Sequence, residues 1–198
     1  LDDRFEVAHG AAALALVGVG ESSHGQRTLL GKPTPCVGRD RELDGLEALF
    51  HESVEEPAAR AVLVVGEAGI GKSRIRSALV RRLREARSDA EIWVARGDPL
   101  AAGSPFGLIR RALRSAIGAR EGDALAAQSL RLASFVARYV PVEEHENVGE
   151  FVGEIVGVPL AASPSAKLLA ARSNAVLMGD QLRRAVESLI VAACKQHP

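Results

Sequence analysis

Residues 62–73 constrain this chain more than any other stretch. Val62, Leu63, Val64 and Val65 form a short apolar run rich in β-branched side chains, and Gly66-Glu67-Ala68-Gly69-Ile70-Gly71-Lys72-Ser73 follows at once. The run predicts a strand buried on both faces, as in a parallel sheet. Gly66, Gly69 and Gly71 carry no Cβ and accept positive φ, so the backbone can wrap closely around a small anion. The peptide N–H groups of the loop, those of Glu67, Ala68 and Ile70 included, then converge beside the positive end of the helix that follows. The spacing G-x-x-x-x-G-K-S is the Walker A, or P-loop, pattern. In it Lys72 brings a point charge to the β- and γ-phosphates of a nucleotide, and Ser73 offers a hydroxyl to Mg²⁺.

The flanks supply the context that this pattern needs. Ile75, Leu79 and Leu83 recur on one face from Ser73 to about Arg87, which predicts a helix whose remaining surface is strongly basic. Residues 91–96 read as a second strand, one crossover after the first. Strand, loop, helix and strand in that order make the right-handed βαβ unit of a parallel sheet. Upstream, Asp40 is a fair N-cap for an amphipathic helix carrying Leu43, Leu46, Phe50 and Val54, ended by Pro57. Downstream the pattern is helical throughout. Ser104-Pro105 opens a helix to about Ile117, and Asp123 opens one stopped by Pro141. Residues 143–155 hold another, with its glutamates read as a solvated face. Ser163-Pro164 begins a short one to about Arg172, and Asn174 caps a long last one. The fold class expected is α/β: a partial P-loop NTPase parallel sheet followed by a mostly helical region.

Composition narrows the function classes. Formal net charge is zero over 198 residues, so no global pull toward nucleic acid or membrane is expected, and self-association is compatible with it. Two cysteines, Cys36 and Cys194, make neither a disulfide framework nor a metal-ligand set. The apolar run from Ala11 to Gly20 is too short to span a bilayer, and its acidic approach does not match a signal peptide. A cytoplasmic protein with no membrane partner is the expectation. The chain starts with Leu, which suggests a fragment or a processed chain. Residues 1–34 read as a leader or the end of a preceding domain.

Hydrolysis of a nucleotide by this class needs a second apolar strand that ends in an acid, the Walker B element. No run downstream of Ser73 qualifies; the apolar stretch 189–194 leads into Lys195. No catalytic residue is assigned.

Together, Val37-Gly38-Arg39-Asp40-Arg41-Glu42-Leu43, a helix, and Val64 through Arg74 resemble the V-G-R-[ED]-x-E-L … G-x-x-G-x-G-K-[ST]-R-L pattern. That pattern belongs to the origin-recognition-like AAA ATPase modules of the STAND class of signalling NTPases. The stretch from Ile92 to Leu108, Met178 to Leu182 and the final helix are similar to a bacterial subgroup often fused to serine/threonine protein kinase or cyclase domains. The resemblance covers roughly residues 28–198. It implies an AAA-like ATPase domain over 35–198 that binds ATP or ADP with Mg²⁺. It also implies contact of Val37, Gly38 and Arg39 with the adenine or ribose, and a Walker B strand starting just after Pro198. The chain then reads as truncated before its catalytic half, with partner signalling domains outside it. A nucleotide switch in signalling or transcriptional regulation is the function implied. A nucleic-acid-associated ATPase of the origin-recognition type and a small-molecule P-loop kinase stay open as alternatives. Direct contact with nucleic acid is not expected, because no aromatic residues interleave with the arginines of residues 74–87.

Overall fold

The structure, a computed structural model, describes residues 36–56, 58–87, 89–97, 103, 105–120 and 122–197, together with the backbone of four short strands between residues 6 and 33. The chain divides into two compact units, Leu1–Ala90 and Glu91–Pro198.

In the first unit, β1 (Glu6–His9) pairs antiparallel with β2 (Leu14–Gly18), and β3 (Thr28–Leu29) pairs antiparallel with β4 (Lys32–Pro33). Two helices follow, α1 (Asp40–Glu55) and α2 (Lys72–Ala86). Arg39 takes the N-cap position that the sequence suggested for Asp40. Asp40 instead begins the helix, where a carboxylate still faces the positive dipole end. The seam between α1 and α2 is small. Leu43, Ile75 and Ala78 are buried in it, with Cys36, Leu46 and Leu79 packed around them. One turn beyond Ala78 and Leu79, Arg82 continues the same stripe of α2 and meets a row of acids on α1. Its guanidinium donates to Asp44 at 2.9 Å, Glu47 at 3.1 Å and Asp40 at 3.2 Å.

The expected parallel sheet of the α/β class does not form. Residues 61–67 and 91–97 have no regular secondary structure, and no two segments pair in parallel among the described residues. Val62, Leu63, Val64 and Val65 are 52%, 86%, 43% and 79% exposed, where a central strand would bury both faces. A β-branched run favours extended backbone, but a strand exists only where a neighbour takes up its N–H and C=O groups. Propensity is local and the ladder is not. Among the residues described from 36 onward the architecture is helical.

The second unit is a helical bundle of α3 (Gly107–Ile117), α4 (Leu125–Tyr139), α5 (His145–Val156), α6 (Ala166–Arg172) and α7 (Ala175–Cys194), with a 3-10 turn at Val142–Glu144 before α5. Helix α5 is its centre, packed against α3, α4 and α7. Val148, Phe151, Val152 and Val156 are fully buried, as befits a helix apolar nearly all round. Gly153 explains how tightly the chain folds back over α5. A Cβ at that position would lie 2.5 Å from the carbonyl oxygen of Val158, so only glycine fits.

Several readings of this region change. The solvated glutamate face holds for Glu143, Glu144 and Glu146, but Glu150 is only 5% exposed. Its carboxylate accepts the Ser165 backbone N–H at 2.7 Å and the Ser165 hydroxyl. Ser165, rather than Ser163, then caps α6 by accepting from the N–H of Leu168. Likewise α4 starts at Leu125, and Asp123 pairs with Arg131 instead of opening the helix. Asn174 caps α7 as expected, accepting from the N–H groups of Val176 and Leu177. Helix α3 begins at Gly107 with Phe106 at its N-cap, rather than at the Ser104-Pro105 start that the sequence suggests. No helix among the described residues is long and apolar enough to cross a membrane.

Candidate functional site

The loop between residues 66 and 71 reaches α2 through two left-handed glycines. Gly69 has φ 87° and Gly71 φ 102°. Gly71 stands at the N-cap, and no side chain caps the helix. The N–H groups of Arg74 and Ile75 both return to the Gly71 carbonyl, at 2.9 and 3.0 Å. Lys72 and Ser73, the first two residues of α2, precede the first residue whose N–H finds a partner within the helix. Glu67, Ala68, Gly69 and Ile70 are all exposed, as is Ser73.

Lys72 closes the loop on itself. Its ammonium donates to the carbonyl oxygens of Gly66 at 2.7 Å and Glu67 at 2.8 Å. The side chain thus folds from the start of α2 back over the loop, and its charge lies above the turn that the glycines make. A Cβ on Gly66 would come within 3.0 Å of Ile70 Cγ2, so the loop is tight at its first residue as well.

The segment 37–39 reaches the same place. Val37 is 81% exposed, and Gly38 turns the chain at φ 74°. Arg39 donates to the Ile70 carbonyl oxygen at 3.4 Å and to Glu42 at 2.7 Å. The Arg39 guanidinium holds the Glu42 carboxyl below the usual carboxylate range. The two segments singled out in the sequence, 31 residues apart at Arg39 and Ile70, are joined by a hydrogen bond between them.

A feature that the sequence did not signal lies beside them. An open groove of about 440 Å³ runs between α1 and the extended residues 63–65, lined by Arg41, Glu42, Leu46, Leu49, Val64 and Ile75 among others. It arises because the apolar face of α1 extends past the small seam with α2. Periodicity marks Leu46 and Leu49 as apolar but cannot say that they line a groove.

These groups suit an anionic phosphate chain with a divalent cation. An ammonium, uncapped helix N–H groups and glycine backbone are donors to phosphate, and an exposed serine hydroxyl is an oxygen ligand suited to Mg²⁺.

A family model for AAA ATPase domains matches residues 35–198. The class of the protein is thereby a nucleotide-binding ATPase module. The chain belongs to the AAA ATPase domain family, which generally binds ATP or ADP with Mg²⁺. Neither the curated proteins nor the solved structures compared with it give a match.

Proposed function

We propose that residues 66–73 and 37–39 together form one site for Mg²⁺-bound ATP or ADP, and that the module works as a nucleotide switch of the STAND type in signalling or transcriptional regulation. The observation that supports this reading is the convergence of Lys72 and Arg39 on the same short loop, through Gly66 and Glu67 on one side and Ile70 on the other.

Each residue has a part in that reading. The backbone N–H groups of residues 67–73 donate to the phosphate chain at the positive end of α2. The Lys72 ammonium, held by two neutral carbonyls, transfers part of its hydrogen bonding to phosphate oxygens, which are stronger acceptors because they are charged. The Ser73 hydroxyl would be the chain's oxygen ligand for Mg²⁺, which would supply neutralisation of phosphate charge when bound. Val37 and Gly38 offer apolar surface and backbone to the adenine or ribose side, and Arg39 fixes that turn against the loop.

The reading is one of binding. No acid at the end of an apolar strand follows Ser73 in these 198 residues, and no residue is assigned to turnover. The signalling domains that would give or receive the signal, a cytoplasmic setting and self-association belong to the same proposal, with the family resemblance as their support.

Titration of a fluorescent ATP analogue into the wild type and Lys72→Ala tests it. Loss of one phosphate-directed cation is expected to weaken binding by roughly 1.5–3 kcal/mol. Equal affinity of the two chains would overturn the assignment.

A further inference from the structure

The two segments of the proposed site lie at the starts of two different helices. Gly66–Ser73 leads into α2, and residues 37–39 lead into α1. A nucleotide that spans both segments requires α1 to sit at one fixed rotation and height on α2. The apolar seam between them is small: among the described residues Leu43, Ile75 and Ala78 are buried in it, with Cys36, Leu46 and Leu79 packed around them. Apolar burial is non-directional, so a seam of that size leaves rotation and height to be fixed by directional contacts.

Arg82 supplies the missing constraint. Asp40, Asp44 and Glu47 stand at i, i+4 and i+7 over the first two turns of α1, so their carboxylates form a row on one face. One guanidinium on α2 serves all three, with Nη1 on Asp44 and Glu47 and Nη2 on Asp40. The planar fork admits this only at one register, because its donor directions are fixed and cannot follow a sliding helix as an ammonium could. The anchored residue Asp40 is next in sequence to Arg39, which bonds the loop through Ile70. Arg82 itself is on the third turn of α2, away from Lys72 and Ser73, and its ion-pair partners Asp40, Asp44 and Glu47 belong to neither of the two segments.

We infer that Arg82 is a positioning residue of the nucleotide site: it holds residues 37–39 in register with the phosphate loop, and so sets affinity for the nucleoside part of the ligand without contributing to affinity for the phosphate part. This rests on the reading of residues 37–39 and 66–73 as one site.

The ratio of affinities for Mg·ATP and Mg·tripolyphosphate reads this directly, measured by calorimetric titration of the full chain. Tripolyphosphate needs only the loop, whereas ATP needs the register. Arg82→Ala is expected to weaken ATP binding about three- to tenfold while tripolyphosphate stays within about twofold, the scale of a small network of exposed ion pairs. Arg82→Lys keeps the charge without the fork and is expected to recover only part of the loss. If Arg82→Ala does not fold by circular dichroism, the Asp44→Asn, Glu47→Gln double variant takes its place with the same expectation. An unchanged ratio in a folded variant overturns the inference, and so does a parallel loss for both ligands, which marks a merely structural role. If the wild type binds both ligands through Lys72 and the ratio does not move, the inference alone falls. If the wild type binds neither, the nucleotide reading falls and takes the inference with it.

Discussion

The guanidinium of Arg39 donates to the carbonyl oxygen of Ile70 across 3.4 Å, tying the turn before α1 to the loop before α2. The bond is long, so its worth lies in placement more than in strength. Its other hydrogen bond, to Glu42 at 2.7 Å, fixes the side chain that makes it.

Arg39→Ala should therefore act in two measurable ways. Affinity for a fluorescent ATP analogue should fall by about three- to tenfold, the scale of one ordinary hydrogen bond, since this one is long. The Glu42 carboxyl, held low chiefly by its hydrogen bond from Arg39, should titrate at higher pH in the variant when followed by carbon NMR. An unmoved Glu42 titration would show that the Arg39 contact is not kept in solution.

Gly71 holds φ 102° at the entrance to α2. A Cβ there meets no neighbouring atom within 4 Å, so Gly71→Ala tests backbone strain alone. It should cost about 1–2 kcal/mol in urea unfolding, together with loss of nucleotide binding as the loop changes shape. Retention of full affinity would contradict the reading of residues 66–71 as a preshaped cradle.

Tyr139 is the chain's only tyrosine, so its phenolate absorbance can be followed without overlap from another tyrosine. Burial, and then the neighbouring Glu91 carboxylate, push its phenol up to about 12, against a partial downward pull from Arg138. A folded value raised above the unfolded one means that the native state holds the proton more tightly. The associated stability is complete below about pH 10, the ordinary value, and is lost as pH rises toward 12. The native chain should titrate near 12 and the urea-unfolded chain near 10. Coincident curves would contradict the buried setting.

Gly153→Ala should damage the bundle although it adds a single methyl group. Its Cβ would lie 2.5 Å from a backbone oxygen, that of Val158, which cannot swing aside as a side chain can. The expected loss is about 1–3 kcal/mol, as for other overpacked cores, read from the thermal midpoint. Gly179→Ala, where a Cβ meets nothing within 4 Å, is the control and should be neutral or mildly stabilising because alanine favours helix.

How far the sequence could be read follows from which interactions are local. Asn174 at the cap of α7 and the 75-79-83 stripe of α2 depend on residues within one or two turns, and both are as the sequence suggests. The left-handed turns at Gly69 and Gly71 are legible for the same reason, since glycine conformation is a property of a short segment. The sheet was not legible. A Val-Leu-Val-Val run encodes extended backbone, but whether a neighbour lies alongside depends on distant residues, and here residues 61–67 and 91–97 stay outside any ladder. Glu150 was misread because a helical glutamate among other glutamates looks solvated, and only the fold brings Ser165 to it. The Arg82 contacts with Asp40, Asp44 and Glu47 span between 35 and 42 residues. An i, i+4, i+7 acidic row and a lone arginine on an apolar stripe are visible in the sequence, but their meeting is not.

The clasp between α1 and α2 has a further consequence. Its acids Asp40 and Asp44 are about two-thirds or more exposed, so mobile ions reach them, and screening acts over roughly 8–10 Å at ordinary ionic strength. The buried apolar core of the bundle, with Leu132, Val148, Phe151 and Leu189 in it, is held by burial that dilute salt does not screen. Salt is thus expected to loosen the clasp between α1 and α2 more than that core, so that the helix pair bearing the site yields first as ionic strength rises.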